Sequence, residues 1–166
     1  MKKKIKKSLT HLTYTRLVSD KKYPSDPTVP LGSTFKNKNG LIKNLLFQKL
    51  TSVALIESKA GSVRANHYHL TDWHYAYVTD GHIDYFWRPV GSKIKPKKKR
   101  YKKGSMFFTP PLIEHAMFFP VKTNFLTFAK NVREHDNHEK DLVRIELINS
   151  KWDRIKKKYI VNILNS

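Results

Sequence analysis

Glycine-bearing turns at Asn39-Gly40, Ala60-Gly61, Asp80-Gly81 and Val90-Gly91 cut the middle of this chain into segments short enough to be strands. Candidates with strand character run over 42–48, 52–57, 62–69, 73–79, 83–88, 105–108, 115–120 and 125–130. Many short strands with no helix between them imply an antiparallel barrel or sandwich. The expected class is therefore all-β. At 166 residues, one domain around a single sizeable core is expected.

Other stretches read differently. A basic tail is expected over 1–13, followed by an extended arm over 14–40, where Pro24, Pro27, Pro30 and Gly32 break any regular element. The barrel is expected to span 41–148, with 142–148 alternating like a strand. Residues 93–103 carry so many like charges that an exposed hairpin loop is expected there. Over 149–166, Ser150 is placed to cap an amphipathic helix presenting Trp152, Ile155, Tyr159, Ile160, Ile163 and Leu164. That stripe would pack on its own barrel or cover a neighbouring subunit.

Composition narrows the chemistry. With no cysteine, disulfides, thiolate ligands and cysteine nucleophiles are excluded. The basic start lacks the apolar run of a signal peptide, and no segment has the length of a membrane span, so a soluble, cytoplasmic protein without membrane attachment is expected. The net charge of +20 gathers at 2–7, 93–103 and 156–158. It comes mostly from lysine, arginine is scarce, and no nucleic-acid motif accompanies it, so dedicated nucleic-acid binding is not expected. A positive surface would still attract an anionic small molecule.

Four histidines carry the most specific signal. His67 and His69 are two apart and share one face of a strand, and a short turn over 70–73 lets His74 return from the next strand. His115 follows Pro110 and Pro111. Converging neutral imidazoles suit a divalent transition metal. By parity, Val63 and Ala65 would share the face of His67 and His69, and Ala76 and Val78 that of His74. Tyr85 with Trp87, Met106 with Phe108, and Met117 with Phe119 would line the barrel further. Tyr85 needs a buried partner or a ligand for its hydroxyl. Glu114, beside His115, is a candidate acid–base carboxylate.

These residues resemble the cupin superfamily, whose fold is a double-stranded β-helix of jelly-roll type. Gly61, His67, His69, position 74 and Gly81 follow the spacing of its first motif, and Gly104, Pro110 and His115 follow its second. Two positions depart: His74 stands where the family usually has glutamate, and Leu112 where it has glycine. The resemblance implies one metal held by His67, His69, His74 and His115. An all-imidazole set leaves the ion's charge less neutralised, which favours anionic substrates and Fe2+, Zn2+ or Ni2+ over Mn2+. It also implies a homodimer.

The run Val63-Arg64-Ala65-Asn66-His67-Tyr68 is similar to one in the dTDP-4-dehydrorhamnose 3,5-epimerases, where the arginine meets the nucleotide phosphate and the histidine is the base. Asn66-His67-Tyr68-His69 also resembles the cupin of capsular-polysaccharide sugar reductases and epimerases, and a run in sugar-nucleotide ketoisomerases. The implied reading is a metal-dependent isomerase or epimerase acting on a small polar or anionic substrate such as a sugar nucleotide. Tyr85 and Glu114 would be catalytic, and Arg64 and Trp87 would contact substrate. An iron-dependent dioxygenase, a non-catalytic sugar-binding cupin and a metal-free epimerase using His67 are the alternatives.

Overall fold

The computed structural model describes residues 26–32, 34–47, 49–132 and 139–164. The tail over 1–13, the arm up to residue 25, and His11, His135 and His138 lie outside them. The described strands are β1 (Thr28–Val29), β2 (Thr34–Asn37), β3 (Gly40–Lys43), β4 (Ser52–Ser58), β5 (Val63–His69), β6 (His74–Asp80) and β7 (His82–Pro89). Then come β8 (Lys97–Lys102), β9 (Met106–Thr109), β10 (Ile113–Phe118), β11 (Thr123–Ala129), β12 (Leu142–Arg144), β13 (Ile148–Asp153) and β14 (Lys158–Ile163).

Ten of them form two five-stranded sheets, ordered β1-β9-β6-β11-β4 and β12-β5-β10-β7-β8, and β2–β3 and β13–β14 are separate two-stranded sheets. Every pairing is antiparallel. The all-β jelly-roll class read from the sequence is the fold observed. Consecutive β5 and β6 lie in different sheets, so His74 returns from the opposite sheet and not from a neighbouring strand.

Between the sheets sits a core of Ala76, Val78, Ile83, Tyr85, Tyr101, Phe107, Met117, Phe119 and Phe125, with Ala65 and Trp87 against it. Strand β6 follows strict alternation, which puts His74, Ala76 and Val78 inside as expected. Two other parity readings fail. On β9 the inner residue is Phe107, which pairs with Ala76; Phe108 faces outward across from Tyr75 and packs on its ring, and Met106 pairs with Tyr77. On β5, Ala65 and Asn66 both take positive φ, 66° and 51°, and form a bulge where the pairing with β10 slips between His115 and Ala116. One extra residue reverses the alternation, so Val63 packs outside with Phe86, Ala116 and Phe118 while His67 points inside.

The basic segment also differs from expectation. Residues 97–102 form an edge strand and not a loop, because alternation separates their charges. Tyr101 is buried in the core, and the outward Lys98 and Arg100 both bind the buried Asp84, at 2.9 and 2.6 Å. A lysine-rich edge also resists pairing with other chains.

The C-terminal helix expected over 149–166 is not formed among the described residues, which end at 164. Strands β13 and β14 make an antiparallel hairpin instead, with Trp152 opposite Tyr159. The stripe is mostly Ile, Tyr and Trp, whose branched or aromatic side chains favour extended backbone. Asp153 supplies the turn: its Oδ1 accepts the amides of Ile155 and Lys156, and Lys157 takes φ 47°. Val161 and Ile163 then pack with Leu147 and Ile148 on the outer face of β7 and β10, so of the expected stripe Ile163 joins this packing on the barrel, while Trp152 and Ile155 stay exposed. Tyr159 reaches Gly61, where an added Cβ would lie 2.1 Å from its ring.

Candidate metal centre

The four histidines converge between the sheets. His67 and His69 come from β5, His115 from β10, and His74 from β6 on the facing sheet. The bulge on β5 is what turns His67 toward His115, its cross-strand partner. Ring centroids lie 4.7 Å apart for His67 and His115, 4.8 Å for His67 and His69, and 5.4 Å for His74 and His115. His69, His74 and His115 are buried, and His67 is half-buried.

One ring nitrogen each from His67, His69 and His115 lies within 4.8 Å of the others. His74 stands beside this set, its ring 5.5 Å from that of His69. The surroundings orient two of the rings. His69 Nδ1 donates to Asp141 Oδ2 at 3.1 Å, and His115 Nδ1 donates to the carbonyl of Ile113 at 3.0 Å. Both acceptors lack a proton to give, so Nδ1 carries the hydrogen and Nε2 presents the lone pair. Metal-binding histidines are held in this way, and the buried, nitrogen-only donor set fits a divalent transition metal.

Asp141 is the residue that sequence reading missed. It is the last residue of a helical turn described over 139–141 and binds back across the β5–β6 turn. Its Oδ1 accepts the amide and hydroxyl of Thr71, and its Oδ2 accepts the Asp72 amide as well as His69. Burial alone would raise its carboxyl, but the hydrogen bonds from His69, Thr71 and Asp72 hold it at about 2. Nothing in its sequence neighbourhood marks Asp141, since the contact spans 72 residues.

Tyr85 lies inside, its hydroxyl 3.0 Å from Thr109 Oγ1 and its ring 6.2 Å from that of His115. Trp87 stacks on it at 5.3 Å and is the cross-strand neighbour of His115. Glu114 is not brought to the histidines. Neighbouring positions on a strand face opposite ways, and its Oε2 binds Arg88 Nε at 2.6 Å on the outer side of β10. Arg64 is exposed, with Nε donating to Ser58 Oγ at 2.8 Å and Nη2 to the carbonyl of Glu57 at 2.9 Å.

No protein-family model matches the chain, and no curated protein matches it. Solved structures do. The TDP-quinovose 3,4-ketoisomerase WlaRB from Campylobacter jejuni superposes with a TM-score of 0.61 at 13% identity, covering 74% of this chain and 94% of that one. The sugar 3,4-ketoisomerase QdtA from Thermoanaerobacterium thermosaccharolyticum, in complex with TDP, gives 0.56 at 16% identity over 69% and 84%. The dTDP-4-dehydrorhamnose 3,5-epimerase from Sulfolobus tokodaii gives 0.52 at 15% identity over 67% and 79%. The chain thus has the cupin fold, in the form that these sugar-nucleotide isomerases and epimerases share.

Proposed function

We propose that this protein is an isomerase or epimerase acting on a nucleotide-linked keto sugar, with its chemistry at the four-histidine cluster. The observation that carries this reading is the convergence of His67, His69, His74 and His115 inside a fold shared with enzymes of that kind. Moving a hydrogen between the carbons beside a carbonyl needs a base with a free lone pair, a donor for the carbonyl oxygen, and a site shielded from water. His67, the half-buried ring, is the base, and Tyr85, bonded to Thr109, is the hydroxyl that steadies the oxygen. Glu114 has no part in it.

A divalent metal is the alternative occupant: His67, His69 and His115 would hold it, with His74 close enough to complete the set, and His67, its lone pair donated to the ion, would then not serve as the base. Such an ion supplies Lewis acidity toward a carbonyl oxygen. The rings of His69 and His115, fixed by Asp141 and Ile113, are held with Nε2 available for it. A homodimer belongs to the same reading: β4 is an edge strand, and its outward Val53 and Leu55 are exposed.

The test is solvent exchange. The protein is incubated in deuterated water with TDP-4-keto-6-deoxyglucose, with and without added Fe2+, Zn2+ or Ni2+, and deuterium in the sugar is followed by mass spectrometry. Incorporation that disappears in His67→Asn supports the proposal. Binding of the nucleotide sugar without any incorporation would replace it with a binding role.

A further inference from the structure

The register of the inner sheet places a second chemical feature beside the histidines. His67, His115, Trp87 and Lys97 are successive cross-strand partners on β5, β10, β7 and β8. In the next row, Met117, Tyr85 and Lys99 are partners in the same way. Because Tyr101 of β8 is buried in the core, alternation puts Lys97 and Lys99 on that same inner face, at the sheet's edge. Strands lie about 4.8 Å apart, so the Lys97 backbone is about 10 Å from that of His115, with Trp87 between them.

The other basic residues near these rows are engaged by the protein. Arg144, across from His67, binds Glu139 at 2.6 Å, and Arg64 is held by Ser58 and Glu57. On the outer face of β8, Lys98 and Arg100 share the carboxylate of Asp84. Lys97 and Lys99 form no ion pair among the described residues. Lys99 Nζ donates to Thr28 Oγ1, and nearby Asp26 is occupied by the Thr28 amide at 2.7 Å. Two cations thus flank a stacked aromatic pair that leads to the histidines.

We infer that Lys97 and Lys99 form the phosphate subsite of this centre, taking the diphosphate of a nucleotide-linked substrate that crosses Trp87 to reach His67. This rests on the function proposed above and adds to it the residues that choose an anionic substrate. It moves the phosphate contact from Arg64, where the sequence suggested it, to the opposite edge of the sheet.

The probe is TDP, titrated calorimetrically into the full chain at low and moderate salt, with thymidine as the uncharged comparison. Lys97→Ala/Lys99→Ala is expected to weaken TDP by at least about tenfold and to flatten the salt dependence, leaving thymidine unchanged. Lys97→Glu keeps the Lys99–Thr28 bond and is expected to weaken TDP similarly, so a folding defect in the double variant cannot decide the matter. Lys102→Ala, an outward lysine of the same strand, is expected to stay within about twofold, since it removes the same charge on the wrong face. Equal losses in Lys102→Ala and the double variant would reduce the effect to bulk charge and overturn the inference. Unchanged TDP binding in the double variant overturns it while leaving the proposed function standing. A wild-type protein that binds neither TDP nor TDP-4-keto-6-deoxyglucose removes both.

Discussion

Glu114 and His115 are neighbours on β10, and each is buried in a polar cluster, but the two clusters are built on opposite principles. Outside, Glu114 meets Arg88, a pair of opposite charges that satisfies itself, beside Tyr68. Inside, His115 meets three more imidazoles, groups of the same kind that do little for one another until something joins them. Buried polarity by itself therefore does not mark a working site. Complementary groups hold a fold together, whereas convergent like groups wait for a third party.

That contrast can be broken from either side. Glu114→Ala takes the carboxylate from the buried Arg88 and should cost about 3–5 kcal/mol of unfolding free energy, with metal content unchanged. Urea denaturation and elemental analysis on the same sample check both halves. If metal is lost along with Glu114, the two faces are coupled and the contrast collapses. His115→Ala should behave in the opposite way. Metal affinity falls by more than about 100-fold, beyond the effect of losing a residue that only supports a ligand, while the metal-free protein keeps most of its stability. Equilibrium dialysis against Zn2+ reads the first, and denaturation the second.

Asp141→Asn sits between the two, because Asp141 both braces His69 and ties a turn. Weakening of the metal by about 10–100-fold is expected. Its pH signature has a definite sign. The folded carboxyl is depressed, to about 2 from 3.8, so its contribution is present above pH 4 and fades as pH falls toward 2. The shift corresponds to about 2 kcal/mol, for a side chain only 13% exposed. Denaturation at pH 5.5 should separate wild type from Asp141→Asn by about that amount, and at pH 2.5 by little. A gap independent of pH would mean that the carboxylate's charge plays no part. The smallest effect is that of Tyr85→Phe, which removes one buried hydrogen bond to Thr109 and should cost about 1 kcal/mol in thermal or urea unfolding.

Much of this was legible in the chain. The jelly-roll class followed from the spacing of turns, and the meeting of His67, His69, His74 and His115 followed from their positions, because both are local patterns that the fold preserves. The errors share one physical origin. Alternation reads a strand as unbroken, so the bulge at Ala65 and Asn66, which sends Val63 outward, was invisible, and so was the one-residue offset on β9. Lysine density concealed a strand in 97–102 because the buried Asp84 that binds Lys98 and Arg100 lies elsewhere in sequence. Helical spacing over 149–166 was real but lost to branched and aromatic side chains and to the turn at Asp153. Asp141 could not be foreseen at all, since only the folded chain brings it to His69.

The ring of Tyr159 over Gly61 has a consequence for the order of assembly. The hairpin β13–β14 is hydrogen-bonded only to itself as a sheet, and it is joined to the barrel through a few links such as Asn66 to Ile148 and Ser150 to Gly61. Its seat against Gly61 exists only once β5 has bulged and paired with β10. The last strands of the chain therefore dock last and detach first, as a cooperative unit with its own opening equilibrium. In native-state hydrogen exchange the amides of β14 should open well before those of β10, leaving a barrel whose histidines are still assembled.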